Sequence, residues 1–405
     1  MFNKLKKINH KHILAIIFII IIFFIGADTF PLVIKDVSGF FNNDKNTLSE
    51  TKQSIENRYT NMLSFNSSNY LTDKSTYINL NGLMARLMGQ RYVNERVKLH
   101  NGHLTGASTT PTVKPDISSA VEQMTRLYNK QVENGKHFLF VMAPSQIPKY
   151  DDIMPVGYFS NNNSVSDDLL SELDKNGIPV LDLRDEMIKD NIDHDDAFYI
   201  TDHHWKTETA FWAYTKITDF IVQSGFSQPV DQIYTNIDNY NVVTYKDWFL
   251  GSSGKRTGSY YAGVDDFSVI YPKFRTNLSI DVNDGEIIRA GNFKDVVFNM
   301  DTIVKDYFTT NPYGSFTHYC KGFTKYNNAA APLDLKILSI GDSYKDASSV
   351  YFPLITNNVD ILDMRYYKHD FSEYYSDFDP DIIIMLINAT SPVQGNTTYN
   401  FFPGE

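Results

Sequence analysis

Cysteine is almost missing from this chain: of 405 residues only Cys320 carries a thiol. An intrachain disulfide and a Cys-rich zinc site are therefore excluded, and an exported form must draw its stability from a buried core. Basic side chains are in deficit as well, 37 Lys and Arg against 48 Asp and Glu, for a formal net charge of -11. No basic stripe runs anywhere beyond the extreme N-terminus, so no nucleic-acid partner is expected. A phosphate loop is lacking too. The stretch Gly251–Tyr261 (GSSGKRTGSYY) looks like one superficially, but no apolar strand leads into it and the Gly-Lys-Ser/Thr ending is absent. What the chain has in quantity is aromatic residues, 14% of the total. Tyr and Asn together suit stacking on sugars and hydrogen bonding to them, and they equally suit an ordinary surface.

The N-terminus reads as an export signal. Lys4, Lys6, Lys7 and Lys11 precede an uncharged run, Ile13–Ala27, which Phe30–Ile34 extend. The positive flank, residues 1–12, is expected to remain cytoplasmic, residues 13–34 to form a signal anchor or transmembrane helix, and the remainder to lie outside the membrane. Ile25 occupies a position where signal peptidase requires a small residue, which favours an uncleaved anchor. Residues 35–100 are polar and read as a stalk or N-terminal extension, with weak helical patterning around Tyr77 to Met88. Alternating Val93, Val97 and Leu99 beside Asn101-Gly102 signal a short hairpin.

Residues 101–405 read as one α/β domain. Asp116 opens a helix in which Val121, Met124, Leu127, Tyr128 and Val132 recur at helical spacing until Asn134-Gly135. His137–Ala143 (HFLFVMA) is a continuous apolar run of the kind found in strands covered on both faces. A helix near Ser166 to Lys175 and a strand at Ile178 to Leu183 repeat the unit, which predicts parallel strands with covering helices. The next helix buries Ala210, Phe211, Tyr214, Ile217, Phe220 and Ile221 and stops at Gly225. The rhythm breaks over about residues 227–332, read as a β-rich insertion or outlying lobe with a hairpin around Asp284-Gly285. It resumes with strands at Leu333–Ile340, Val359–Met364 and Asp381–Ile387.

Two stretches carry chemistry. Thr201-Asp202-His203-His204-Trp205 gathers a carboxylate, two imidazoles and an indole just ahead of a helix, and Gly341-Asp342-Ser343-Tyr344 forms a tight turn after a strand. Reactive groups in such sheets collect beyond the carboxyl ends of the strands. A serine hydroxyl needs a neighbouring base, and the base needs a carboxylate to fix its tautomer. Ser343, His204 and Asp202 supply those roles. In an extended segment residues two apart face the same way, so Asp202 and His204 are expected together and His203 elsewhere. The Ser343 amide is a candidate oxyanion donor. Three plainer readings stand beside this one: Asp202 as a helix cap, Gly-Asp-Ser as an ordinary turn, and Asp202, His203 and His204 as ligands of a metallohydrolase.

The segment Tyr199–Thr207 (YITDHHWKT) closely resembles the signature of the DHHW proteins, relatives of the alginate O-acetyltransferase proteins within the SGNH hydrolase superfamily. Weaker pieces of the likeness are Val141–Ser145, Leu181–Asp185, Gly251–Gly263, Ile340–Tyr344 and Asp363–Tyr366. It spans roughly Asn101 to Leu386, and the Asp-x-His block precedes the Ser block as in the alginate-acetylating relatives. The resemblance implies an SGNH-like three-layer sandwich with a mainly parallel sheet, Ser343 as nucleophile, His204 as general base and Asp202 as orienting carboxylate. No Gly-x-Asn-Asp block supplies a further oxyanion donor, which leaves Arg365, Tyr344 and Asn388 as weaker substrate or oxyanion candidates.

The implied activity is transfer of an acetyl group, through acetyl-Ser343, onto hydroxyls of an exported polysaccharide. A membrane-bound O-acyltransferase would supply the acetyl group, the N-terminal helix would tie the protein to the membrane, and no cofactor is implied. A carbohydrate acetylesterase with the same triad and a non-catalytic polysaccharide-binding subunit of an export complex are the alternatives.

Overall fold

The computed structural model describes residues 74–150, 152–316, 322–389 and 401–402, together with Ile16, Ile19 and Phe23. The chain divides into two compact units, Met1–Leu80 and Asn81–Glu405. Of the first, little is described, and the segment read as an anchor, residues 13–34, falls outside the described residues apart from Ile16, Ile19 and Phe23. Among the described residues no helix is long and apolar enough to cross a membrane.

The weak helical pattern near Tyr77 forms helix α1 (Lys74–Leu87). Three short antiparallel strands follow, β1 (Tyr92–Val93), β2 (Arg96–Lys98) and β3 (Leu104–Thr105). The Asn101-Gly102 signal makes the β2–β3 turn, with Gly102 at φ 95°. Helix α2 (Ser118–Glu133), strand β4 (His137–Ala143), helix α3 (Asn162–Lys175), strand β5 (Val180–Asp182) and helices α4 (Leu183–Lys189) and α5 (Thr207–Gln223) continue the chain. Next come β6 (Tyr240–Phe249), the short helix α6 (Ser252–Thr257), β7 (Asp265–Pro272), β8 (Leu278–Val282), β9 (Ile287–Gly291), β10 (Phe323–Asn327) and β11 (Leu333–Gly341). Helix α7 (Tyr344–Ser349), β12 (Thr356–Leu362), α8 (Phe371–Phe378) and β13 (Ile382–Asn388) complete the order.

One eight-stranded sheet organises the domain in the order β5-β4-β13-β11-β12-β10-β8-β9. The first five strands are mutually parallel, and β10, β8 and β9 each pair antiparallel with the strand before them. Strand alternation explains why both faces are apolar. In β4, Phe138, Phe140 and Met142 enter one core with α2, α3 and α8, whereas Leu139, Val141 and Ala143 enter the other with α4, α5 and α7. In β13 the same division separates Ile383, Met385 and Ile387 from Ile382, Ile384 and Leu386. Each of these side chains larger than alanine contributes about 1.5–3 kcal/mol by leaving water. The β-rich segment is not wholly an outlying lobe: only β6 and β7 form a separate ribbon, and β8, β9 and β10 widen the central sheet. The Asp284-Gly285 hairpin forms as expected, with Asn283, Asp284 and Gly285 all at positive φ.

Gly341 closes β11 against β13. A Cβ there would overlap the backbone carbonyl of Leu386, which the paired strand cannot withdraw. Gly341→Ala is therefore expected to cost about 3 kcal/mol, since a rigid backbone rather than a flexible side chain must yield. Thermal unfolding should show a melting temperature lowered by roughly 5 °C.

Candidate active site

The turn after β11 places Ser343 at the carboxyl end of the parallel strands, at the N-cap position of α7. Its Oγ lies 2.7 Å from His204 Nε2, and His204 Nδ1 lies 2.6 Å from Asp202 Oδ1. The three side chains expected from the sequence are thus in one hydrogen-bonded line. The Asp202 carboxyl is held well below the usual carboxylate range. Burial pushes it up, but the adjacent His203 and His204 rings, the hydrogen bond to His204 and the Ser252 N–H outweigh that. With Asp202 ionised, Nδ1 must carry the imidazole proton, and Nε2 is left as acceptor for the Ser343 hydroxyl.

The way Asp202 and His204 meet differs from the expectation. Residues 201–204 form a bend between the bridged residues Phe198 and Trp205, not an extended strand. Asp202 Oδ1 accepts both the backbone N–H of His204 (3.1 Å) and its ring Nδ1, so the short acidic side chain folds back on its own turn. Nor does Asp202 cap the following helix, since Lys206 is at the N-cap of α5. His203 does not diverge either: its ring centroid is 3.9 Å from that of His204, and its Nδ1 is 3.4 Å from Asp202 Oδ1. Asp202, His203 and His204 consequently offer donor atoms within 4.8 Å of one another. A metal bound there would have to compete for Asp202 Oδ1 and His204 Nε2, both already occupied by the triad's own hydrogen bonds.

The loop is held from three directions, none of which the sequence pattern announced. Buried Gln146, after β4, donates from Nε2 to the carbonyls of Tyr199 (2.8 Å) and Asp202 (2.7 Å). The Asp265 carboxylate accepts from the backbone N–H of Ile200 (2.8 Å) and Thr201 (2.9 Å). Ser252, at the start of α6, donates its N–H to Asp202 Oδ2 at 2.6 Å. Gly251 makes that approach feasible, because a Cβ there would lie 2.6 Å from Asp202 Oδ2 and from the Thr201 carbonyl. The stretch that looked like a phosphate loop is therefore a cradle for the triad carboxylate. Its Gly251-x-x-Gly254 spacing was the available signal.

The weaker candidates are placed otherwise than expected. The Tyr344 hydroxyl, buried, donates to the His203 carbonyl. Asn388 is buried and donates from Nδ2 to the Pro144 carbonyl at 2.7 Å. Arg365 forks onto Asp363 at 2.9 and 2.6 Å. All three side chains thus hold protein groups together. The Ser343 amide, by contrast, has no acceptor among the described residues. Asp342, despite its place in the motif, supports the turn: its carboxylate accepts the N–H groups of Tyr344 (3.0 Å) and Asn388 (2.9 Å). In the Leu181–Asp185 piece, buried Arg184 binds Asp182 and the half-exposed Asp167.

Residues 103–238 match the family model described as SGNH hydrolase-like domain, acetyltransferase AlgX. Over these residues the chain is similar to an AlgX-type SGNH hydrolase-like domain. Solved structures share the SGNH-like fold. PatB1 from Bacillus cereus is 18% identical, with a TM-score of 0.60 over 73% of this chain and 96% of its own. The same protein with a sulfonyl adduct gives 16% identity and a TM-score of 0.61 over 76% of this chain and 99% of its own. A DHHW family protein from Eubacterium siraeum gives 15% identity and 0.56 over 75% of this chain and 94% of its own. No curated protein gives a significant match. The mainly parallel sheet is the SGNH-like feature that the DHHW signature implied.

Proposed function

We propose that the protein is an extracytoplasmic O-acetyltransferase acting on hydroxyls of an exported polysaccharide through an acetyl-Ser343 intermediate. The observation that carries this reading is the line from Ser343 Oγ through His204 to Asp202, with contacts of 2.7 and 2.6 Å. Ser343 Oγ attacks the carbonyl carbon of a donor acetyl group while its proton passes to His204 Nε2. The carbonyl oxygen becomes an oxyanion, for which the Ser343 amide is the donor at hand. Collapse expels the donor alcohol or thiol, which takes the proton from His204. In the second half an acceptor hydroxyl attacks acetyl-Ser343, His204 removes its proton, and Ser343 Oγ recovers that proton on release. Asp202 keeps the imidazole in the required tautomer throughout.

The match of residues 103–238 to the AlgX-type acetyltransferase domain supports acetyl transfer to a polysaccharide over other acyl chemistry. Residues 13–34 acting as a membrane anchor, and a membrane-bound O-acyltransferase as acetyl supplier, complete the proposal.

The test combines labelling with product analysis. A serine-directed sulfonyl fluoride should modify Ser343, and an activated acetyl ester plus an oligosaccharide should yield acetylated sugar. Free acetate alone, with acceptor present, would mean an esterase. Failure of the folded chain to label at Ser343 would leave the non-catalytic subunit. His203→Ala should keep at least about a third of the wild-type rate, because its ring flanks the relay without forming a link in it.

A further inference from the structure

Tyr313 belongs to none of the motifs read from the sequence. It lies in the β-rich insertion, on a short 3-10 turn, Pro312–Ser315. Its ring centroid is 3.9 Å from that of the His204 imidazole, and the two planes are only 19° apart. The side chain is 5% exposed, and its hydroxyl has no hydrogen-bond partner among the described residues. A buried hydroxyl that bonds to nothing is a cost, so the ring rather than the oxygen holds this position. The ring is braced edge-on by Tyr199 at 6.4 Å and 90° and by Phe316 at 5.5 Å and 64°. Three residues upstream, the Thr310 carbonyl accepts from the Lys255 ammonium, which ties this segment to α6 and hence to the cradle of Asp202.

We infer that Tyr313 is a positioning residue for the acyl transfer, its ring lying over His204 to hold the imidazole in line and to stabilise the imidazolium formed whenever a hydroxyl gives up its proton. An aromatic face is electron-rich at its centre and attracts a cation above it, more strongly where water is excluded. A neutral imidazole gains less from the same face, so the contact favours the charged form that the transition state approaches. The inference rests on the triad reading proposed above.

Other groups bear on the same ring and must be held constant. Asp202 and His203 share its loop, and Tyr344 lies 5.2 Å away ring to ring. Asp342 faces His203, while Arg96 of β2 and Lys255 of α6 act on Asp202. None of these changes in a Tyr313 variant.

The experiment compares the wild-type chain with Tyr313→Phe, Tyr313→Leu and Tyr313→Met. The readouts are the pH profile of kcat/KM for an activated acetyl ester and the rate of sulfonyl labelling at Ser343. The two apolar variants keep water away from His204 but remove the aromatic face, and Met serves where Leu fails to fold. Expected are a rate within about twofold of wild type for Phe and a roughly tenfold loss for Leu and Met. In the latter two the acid limb should move to lower pH, because an imidazolium without the ring loses its proton more readily. An equal loss at every pH with an unmoved acid limb would overturn the inference, as would a Phe variant as impaired as Leu. Absence of Ser343-dependent turnover and labelling in the wild type would instead remove the triad reading, and this inference with it.

Discussion

Ser343→Ala should lower turnover of an activated acetyl ester by roughly 10⁶-fold, close to the background of the folded protein. The reason is chemical. Without Oγ there is no atom to carry the acetyl group, and His204, 2.7 Å from it in the intact site, has no proton to remove. His204→Ala should cost a similar factor, since an unassisted serine hydroxyl is a poor nucleophile at neutral pH. The double variant should be no worse than either single one, because the residues act as a unit. Initial rates with the ester, beside melting curves showing that each variant folds, check all three statements. An additive loss in the double variant would separate the two residues into independent roles and end the relay reading.

The second large effect is expected at Asp202. Asp202→Asn preserves shape but replaces an acceptor by an amide that can turn its NH₂ toward Nδ1, and the imidazole then carries its proton on Nε2. That tautomer cannot accept the Ser343 proton, and kcat should fall on the order of 10⁴-fold. A stability signature accompanies it. The folded-state value of the Asp202 carboxyl lies below that of the unfolded chain: burial opposes this, and the His203 and His204 rings with the His204 and Ser252 hydrogen bonds overcome it. A depressed carboxylate contributes stability that is present above the unfolded value, about 3.9, and is lost as the pH falls through the folded one. Urea unfolding of the wild type should therefore weaken between pH 5 and pH 3 by more than that of Asp202→Asn. Equal slopes in the two proteins would mean that the carboxylate is not stabilised in the fold.

Much of this site is legible in the sequence. Asp-x-His ahead of a helix and Gly-Asp-Ser after an apolar strand are local patterns, and local patterns follow from turn chemistry and the alternation of a covered strand. The cores on the two faces of β4 and β13 were readable for the same reason: a run such as HFLFVMA has no polar side to turn outward. Local logic also misled. The extended-segment argument brought Asp202 and His204 together correctly but sent His203 away. The observed bend keeps all three in contact, because Asp202 folds back onto the His204 amide.

The sequence by itself determined which residues can do chemistry and where along the chain they sit: a nucleophile after β11, a base and its carboxylate before α5, and an apolar sheet to hold them at one end. Only the tertiary structure decided which remote groups complete them. Ser343 and His204 are 139 residues apart, and the Ser252 amide that fixes Asp202 is 50 residues from it. Gln146 under the loop and Tyr313 over the imidazole come from segments whose own composition is unremarked. Likewise Tyr344, Asn388 and Arg365 proved to be engaged by the protein's own groups, in hydrogen bonds to His203, Pro144 and Asp363. Periodicity and turn residues record forces between neighbours along the chain. The approach of distant backbones is set by packing two cores against a shared sheet, and no short stretch of sequence carries that information.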